Sequence, residues 1–231
     1  MPSSKSKSKT ILITGCSANG VGSALALALA KHPDNHHVFA TARSVHKIPK
    51  DLSSLPNVTV LQLDVTSAES VADAVEAVKA HSADSDDDDT AGAGLDVLVN
   101  NAGVGYTIPL LDAQIDKAKE VYETNVWGAL RMVQGFADLL IARKGRVVNL
   151  SSVGAVVNTP WIGMLFDFPW SVSHCLLQYL VTSSSLRFVI CFRLRPARIL
   201  QVRYLVLTLY LTPDIALTVT VEPGLTTCLT H

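Results

Sequence analysis

The stretch "TILITGCSANGVGSALALALAKH", Thr10 to His32, decides the fold of this chain. A short apolar, β-branched run leads into a turn that contains Gly15, Gly20 and Gly22, and strong helix formers follow. A strand, a glycine turn and a helix in this order leave backbone N–H groups and a helix N-terminus free of side chains, which suits a phosphate-bearing ligand. A tight turn that only packs the helix closely is the alternative interpretation.

The same alternation of strand and helix continues along the chain. "HVFATAR", "VTVLQLDV", "LDVLVNNAG" and "RVVNLSS" predict the second to fifth strands. "SAESVADAVEAVKAH" predicts a helix behind a start that resembles a capping box, and residues 112–145 predict one or two amphipathic helices. Continuous apolar strands between helices predict parallel strands buried on both faces, so the expected fold class is α/β, a doubly wound (Rossmann) sheet in a single domain.

Composition narrows the classes of partner. The chain has 231 residues, 48% of them hydrophobic and 17% charged, which is enough for one large domain with a buried core. A formal net charge of -1 gives no general attraction to nucleic acid. No run reaches 18 consecutive apolar residues, so no transmembrane segment is expected, whereas peripheral membrane contact stays open.

The composition of the N-terminus and the cysteine pattern predict a disordered tail and a reducing compartment. Residues 1–9 are rich in Lys and Ser and have no apolar core, so they predict a disordered tail and not a signal peptide. Four cysteines without a CxxC pair favour a reducing compartment, and a cytoplasmic location is the expectation.

The composition changes after Gly163. Of the 13 glycines, 12 lie before residue 164, and no lysine follows Lys144. We therefore expect a Rossmann domain over residues 10–163 and a divergent, incomplete C-terminal segment over 164–231. Within that segment "IALTVTVEPG" alone recovers a strand pattern, a remnant sixth strand at 217–224. A mis-spliced or frameshifted gene would produce the same break.

Four motifs together resemble the short-chain dehydrogenase/reductases. They are "TGCSANGVG" at 14–22, "NNAG" at 100–103, Asn125 within "ETNVWGALR", and "GRVVNLSS" at 145–152, and they follow the family's order and spacing over about residues 9–163. The glycine turn is similar to the TGCSxGGIG form of fungal acyl-dihydroxyacetone-phosphate reductase relatives. Asn19 stands where that form has Gly, and Asn tolerates left-handed backbone well.

The resemblance implies a nicotinamide cofactor. Arg43 follows the second strand, where a basic residue would pair with the 2'-phosphate of NADP and an acidic one with the 2'-hydroxyl of NAD. Since "FATARS" contains no Asp or Glu, NADP(H) is favoured over NAD(H), with Ser17 as a helper. Asp64 would contact the adenine, although it could equally cap the strand end. The residues that the resemblance assigns to the cofactor are Gly15, Ser17, Asn19, Gly20, Val21, Gly22, Arg43, Asp64, Asn101, Ala102 and Gly103.

The family's reaction transfers a hydride between nicotinamide and a carbonyl or alcohol carbon. By resemblance a Tyr is the general acid/base, a Lys four residues later lowers its pKa, a Ser positions the substrate oxygen and an Asn supports a water relay. Ser152 matches the catalytic Ser, with Ser151 as its competitor, and Asn125 matches the Asn. A hydroxyl that merely caps the next turn is the alternative for Ser152.

The Tyr and Lys of the family are absent from their expected place near Leu165. None of the chain's tyrosines is followed four residues later by a lysine; they are Tyr106, Tyr122, Tyr179, Tyr204 and Tyr210. The resemblance thus implies an NADP(H)-dependent oxidoreductase for a small ketone or secondary alcohol, lipid-like substrates included, with impaired activity. The alternative is an inactive nucleotide-binding relative. "VEPGLTT" resembles the family's PG motif, and homo-oligomer formation stays open.

Two further signals predict no ligand. "DSDDDD" lacks the ordered Gly and terminal Glu of an EF-hand, so a solvated loop is expected. His32, His36, His37 and His46 lie close in sequence, but their spacing alone shows no converging geometry. We expect surface histidines and no metal site.

Overall fold

A computed structural model describes residues 8–84, 94–152, 187–194, 203–211 and 217–223. The chain divides into two compact units, one of Met1–Ala102 with Arg131–Arg146 and one of Gly103–Leu130 with Val147–His231. The expected tail lies outside the described residues up to residue 7, and so does most of the acidic loop.

Strands and helices alternate up to β5, as the sequence predicts. The strands are β1 (Thr10–Ile13), β2 (His37–Ala42), β3 (Val58–Gln62), β4 (Val97–Asn100), β5 (Arg146–Ser152), β6 (Arg187–Leu194), β7 (Arg203–Leu211) and β8 (Leu217–Pro223). The helices are α1 (Val21–Ala30), α2 (Lys50–Ser53), α3 (Ala68–Asp84), α4 (Ile115–Tyr122) and α5 (Ala129–Ala142). Short 3₁₀ turns span Val45–Lys47 and Leu110–Asp112, and a π-helical turn, Glu123–Gly128, joins α4 to α5.

The first unit is built on parallel strands in the order β3-β2-β1-β4. Leu12 pairs with Phe39 on one side and with Leu98 on the other. Successive residues of β1, Ile11, Leu12 and Ile13, are all fully buried. Because neighbouring side chains of a strand point to opposite faces, both faces are covered. β5 begins beside β4, where the Arg146 N–H donates to the Asp96 carbonyl at 2.8 Å. The predicted doubly wound α/β fold is confirmed.

Helix α3 begins with a cap that differs in one partner from the expected capping box. The Ser67 hydroxyl accepts the Ser70 N–H at 3.2 Å, as an N-cap does. The residue at the third helical position is Ser70, and its hydroxyl accepts the Asp64 N–H at 3.0 Å. The cap therefore ties the helix start to the turn that follows β3.

Helices α3 and α5 pack closely at Gly135. A Cβ atom at this position would lie 2.7 Å from Cγ1 of Val71, so any other residue would force Val71 or one of the helices to shift. The inner side of α5 is buried along its length through Met132, Phe136 and Leu140. Among the described residues, no helix has the length and apolar character needed to cross a membrane.

In the second unit the described strands follow the order β5-β6-β7-β8. β7 pairs antiparallel with both neighbours, with Val206 opposite Cys191 of β6 and Leu207 opposite Val221 of β8. The sequence predicted the strand near 217–224 and missed β6 and β7. Arg187 and Arg193 interrupt the apolar pattern of β6 on which strand prediction depends, and Arg203 stands at the start of β7.

The expectation of surface histidines is wrong for His36, which is 0% exposed. Its ring stacks on that of His32 with centroids 5.1 Å apart, and its Nδ1 accepts the Lys9 N–H at 3.3 Å. His37 is half-buried at the start of β2. Burial is the larger cause and the nearby His81 ring the smaller cause of a shift that lowers the pKa of His37 to about 4.

Candidate active site

The loops after β1 and β4 leave the sheet at neighbouring positions. β1 is followed in the chain by α1 and β2 on one side, whereas β4 lies on its other side, so the strand order reverses between β1 and β4. In open α/β sheets the carboxyl ends of the strands at such a reversal form the ligand-binding crevice. The glycine turn and the NNAG segment both start there.

Asn101 fastens these two loops together. Its side-chain amide donates to the carbonyls of Thr14, at 2.6 Å, and Gly15, at 3.0 Å. The Thr14 hydroxyl in turn accepts the N–H groups of Asn101 and Ala102, both at 2.9 Å, and faces the Val99 carbonyl at 3.3 Å. Asn101 was predicted to line the cofactor, but its amide is engaged inside the protein. Its described contacts make it the clamp that sets the shape of the glycine turn.

The glycines of the turn are required by close approach and by backbone conformation. Gly15 has φ +74°, and a Cβ there would lie 3.0 Å from the Ala102 Cα. A Cβ at Gly22 would lie 2.6 Å from the Gly15 carbonyl oxygen and would also collide with the Asn101 amide. Asn19, at the position where the fungal form has Gly, has φ 60°, in the left-handed region. Close packing, the alternative interpretation of the turn, is thus part of the role of Gly15 and Gly22.

The N-terminus of α1 leaves backbone donors without an acceptor inside the helix. Its cap residue, Gly20, has no side chain to cap the helix, and the first turn contains no acidic residue. The N–H groups of Val21 and Gly22 belong to the first turn, where a helix supplies no acceptor. The helix dipole adds partial positive charge at the same place. These residues fit the pyrophosphate of a dinucleotide. When bound, the nicotinamide ring of such a dinucleotide would supply the hydride donor or acceptor.

Cys16 and Ser17 occupy the middle of the turn in different ways. Cys16 is fully buried, its S–H faces the Ile13 carbonyl at 3.3 Å, and burial raises its pKa to about 12. A thiol with such a pKa is a poor nucleophile. Ser17 is half-buried, and its carbonyl accepts the Gly20 N–H at 3.1 Å. Ser17 therefore shapes the turn through its backbone.

Arg43 and Asp64 follow β2 and β3. Arg43 is exposed and comes directly after Ala42, the last residue of β2. Asp64 is half-buried, and its Oδ1 accepts both the N–H of Thr66, at 3.0 Å, and its hydroxyl, at 2.8 Å. This Asx turn corresponds to the capping alternative for Asp64.

Arg131 is a structural residue of this region that the sequence analysis missed. Its guanidinium Nη1 donates to the Val65 carbonyl at 2.6 Å, across 66 positions of sequence. It thereby fixes the turn after β3 to α5. No local pattern marks a guanidinium that bonds to a distant carbonyl, so only the fold could reveal it.

Asn125 lies in the π-helical turn of the second unit and holds the loop after β4. Its Oδ1 accepts the Val104 N–H and its Nδ2 donates to the Val104 carbonyl, both at 2.9 Å. The neighbouring Gly103 is exposed in the same loop. Turns of this helical type recur at functional sites because they free backbone groups from the helical ladder. The side chain of Asn125 is a positioning group, and a relay through it stays a prediction.

Ser152 is the last residue of β5, as predicted. Its backbone is described, and the segment near Leu165 that would carry the family's Tyr and Lys lies outside the described residues. The remaining motif, PG at 223–224, extends one residue past the end of β8.

Comparison with known proteins identifies the family. The family profile described as short chain dehydrogenase matches residues 9–164. Short-chain dehydrogenase PC-15 of Penicillium crustosum is 46% identical over 147 residues, 64% of this chain and 50% of that protein. The NADPH-dependent 1-acyldihydroxyacetone phosphate reductase of Schizosaccharomyces pombe (strain 972 / ATCC 24843) is 36% identical over 145 residues, 63% of this chain and 45% of that protein. The chain thus spans about half the length of these curated relatives.

The solved structures lead to the same result. An alcohol dehydrogenase from the archaeon Thermococcus sibiricus, complexed with 5-hydroxy-NADP, superimposes with a TM-score of 0.68 at 27% identity, over 80% of this chain and 75% of that one. A short chain dehydrogenase from Burkholderia cenocepacia J2315 with NADP gives 0.66 at 23% identity, over 80% and 71%, a likeness of fold. With the profile covering well over half of its residues, this chain belongs to the short-chain dehydrogenase family of oxidoreductases.

Proposed function

We propose that this chain binds NADP(H) at the glycine turn and carries the family's hydride transfer to a small ketone, or from a secondary alcohol, with an impaired proton-transfer step. The carrying observation is the open N-terminus of α1, with no acidic residue in its first turn and no side-chain cap at Gly20. An anionic ligand completes such a terminus.

The preference for NADP(H) over NAD(H) rests on Arg43. This exposed guanidinium follows β2, and the next residue, Ser44, offers a hydroxyl in place of a carboxylate. A guanidinium pairs well with a phosphate, whereas an acidic residue would suit the 2'-hydroxyl of NAD. The names of two similar proteins, one NADPH-dependent and one complexed with 5-hydroxy-NADP, support the same choice.

The impairment follows from the residues around the reacting oxygen. Ser152 ends β5 and would position the substrate oxygen, while Asn125 would hold the loop at Val104. Nothing in the sequence supplies a Tyr with a Lys four residues later. Loss of a general acid typically slows a reaction by about 10² to 10⁴-fold. We therefore expect cofactor binding without efficient turnover, in a reducing compartment such as the cytosol.

Fluorescence titration with NADPH and NADH tests the cofactor half of the proposal. The unmodified chain is expected to bind NADPH more tightly, and Arg43→Ala to lose about 10-fold in NADPH affinity, the equivalent of one charge-assisted contact of about 1.4 kcal/mol. Its NADH affinity should not change. Lys31→Ala is the matched control, because this exposed lysine lies just after the far end of α1. Equal losses of NADPH affinity in the two variants would show that Arg43 does not contact the 2'-phosphate.

The second candidate is a nucleotide-binding relative without catalysis, favoured by the missing Tyr and Lys. Oxidation of NADPH with a panel of ketones separates the two candidates. Measurable turnover about 10² to 10⁴-fold below that of an intact relative supports the impaired enzyme, and binding with no turnover supports the second candidate. Transcripts sequenced across the codon for Gly163 test whether another spliced form carries a Tyr-x-x-x-Lys stretch.

A further inference from the structure

Three potential metal ligands converge between α1 and β2. His32, Asp34 and His36 each place one ligand atom within 4.8 Å of the others. Nδ1 of His32 lies 3.4 Å from Oδ2 of Asp34, and Nε2 of His36 lies 4.0 Å from the same oxygen. The spacing His-x-Asp-x-His gives no geometry by itself. The fold supplies it, because the connection from α1 turns back to enter β2.

The ring of His36 carries a buried polar atom without a partner. The residue is 0% exposed, and its Nε2 has no hydrogen-bond partner among the described residues. Its other nitrogen, Nδ1, accepts the Lys9 N–H at 3.3 Å. Leaving a buried polar atom unsatisfied is costly, so native proteins nearly always supply a partner, an ion or a water molecule. This atom is directed at the carboxylate of Asp34.

The spacing is close to that of a coordination sphere. Ligand atoms bound at about 2.0 to 2.2 Å in a tetrahedral arrangement lie roughly 3.2 to 3.6 Å apart. The His32–Asp34 pair already has this spacing, the His36–Asp34 pair is longer at 4.0 Å, and all three ligand atoms lie within 4.8 Å of one another. Binding therefore requires a shift of the Asp34 carboxylate and a turn of the His32 ring, whose Nδ1 accepts the Asp34 N–H at 3.3 Å and would give up that hydrogen bond. His32 and Asp34 are 19% and 18% exposed on their side chains, so they can adjust and an ion can enter from solvent.

We propose that His32, Asp34 and His36 bind a divalent transition-metal ion of the Zn²⁺ class. Two imidazoles and one carboxylate are a donor set that favours such an ion over Mg²⁺ or Ca²⁺, which prefer oxygen ligands. Water completes the fourth position. The site is independent of the proposed cofactor site.

Binding requires a defined proton rearrangement at His36. While Nδ1 accepts the Lys9 N–H, the proton of the neutral ring is on Nε2. Coordination through Nε2 displaces that proton, and Nδ1 takes one up, so the ring stays neutral. The Lys9 N–H then loses its hydrogen bond to Nδ1. This cost favours a moderate affinity, and it makes the Lys9 amide a reporter of the bound state.

Because of the location of this cluster, we expect the bound ion to stabilise the folded chain and to take no part in hydride transfer. The cluster is next to the amino ends of β1 and β2, where Lys9 precedes Thr10 and His36 precedes His37. The glycine turn leaves the opposite, carboxyl end of β1. An ion that binds the folded chain alone raises its stability by mass action.

Titration of the full, untagged chain with Zn²⁺ alone tests the proposal, by calorimetry or by competition with a fluorescent chelator. We expect one site in the micromolar range, and at least a 10-fold weaker site in His32→Gln and in Asp34→Asn. His46→Gln is the matched control, because this exposed histidine lies outside the cluster, and its affinity should equal that of the unmodified chain. No binding at 100 µM Zn²⁺, or equal affinity in all four proteins, overturns the proposal.

Two further readouts separate coordination from a general structural effect. Zn²⁺ should raise the melting temperature of the unmodified chain and of His46→Gln, and should leave that of His32→Gln unchanged. In an amide NMR spectrum the Lys9 signal should shift on addition of Zn²⁺. A melting temperature raised equally in His32→Gln, or a Lys9 signal that does not move, counts against the proposal.

Discussion

The two ends of the parallel strands in the first unit differ in their side chains: the carboxyl end has few, whereas the amino end carries imidazoles. At the carboxyl end, Gly15 and Gly22 remove side chains, and Asn101 fixes the backbone that remains. At the amino end, His36 and His37 bring imidazoles into the interior, next to Asp34 and His81 respectively. The first end holds backbone donors in a fixed shape, and the second holds one buried and one half-buried imidazole.

The comparison shows that a site without side chains can be recognised from the sequence more easily than a buried side chain can. A turn that must be bare needs glycine, so its requirement is visible as a motif. A buried ring is identified by what surrounds it, and the neighbours of these rings come from the connection between α1 and β2, from β2 and β3, and from α3. Substitutions of single groups at each end distinguish the two cases.

The largest effect is expected at Gly22. In Gly22→Ala the new Cβ would lie 2.6 Å from the Gly15 carbonyl oxygen and against the clamped Asn101 amide, and neither can yield easily. We expect a loss of about 3 kcal/mol in stability, a melting temperature about 10 °C lower, and NADPH binding at least 10-fold weaker. Gly105→Ala is the control, since a Cβ there meets nothing within 4 Å. Similar melting temperatures for the two variants would show that the turn can relax.

The second largest effect is expected at Asn101, the residue that clamps the two loops. Asn101→Ala removes the two donations to the carbonyls of Thr14 and Gly15, and we expect it to cost about 2 kcal/mol in the free energy of unfolding. Asn101→Asp keeps the size but places carboxylate oxygens against those carbonyls, so it should be destabilised at least as much. Urea denaturation measures both. An Asp variant as stable as the unmodified chain would mean that packing, and not donation, holds the loops together.

The smallest effect is at the amino end and depends on pH. The ring of His37 stacks on His81 with centroids 3.7 Å apart and bonds through Nε2 to the Thr59 hydroxyl at 3.0 Å. Its pKa of about 4 lies below the value near 6.5 of an unfolded histidine. The unfolded chain thus binds more protons between these values, so this stability is present above pH 6.5 and is lost as pH falls towards 4.

Urea midpoints at pH 7.5 and pH 5 measure that loss in the unmodified chain and in His37→Gln. We expect the variant to lose less stability on acidification, by on the order of 1 kcal/mol. Titratable groups that do not contact His37 contribute equally to both proteins and cancel in the difference. NADPH affinity at pH 7.5 should be the same in both, because the change is at the amino end. An identical pH dependence would show that His37 does not titrate differently on folding.

Much of the fold could be predicted because its signals are local. The apolar runs at β1 to β5 and the helical spacing of α3 and α5 appear within short windows of sequence. β6 and β7 were missed because their pairing with each other and with β8 defines them more than their own pattern does. The glycine turn was predicted for the same reason as β1: its chemistry depends on residues adjacent in the chain.

The amino-acid sequence alone determined the family, the glycine turn and the missing Tyr and Lys, because each is a question of which residues stand at a fixed spacing. Only the tertiary structure decided what those residues touch. It made Asn101 a clamp, tied Arg131 to Val65, and buried His36 beside Asp34. The physical reason is that hydrogen bonds and burial depend on distance in space, and folding brings together groups as far apart in sequence as Thr14 and Asn101.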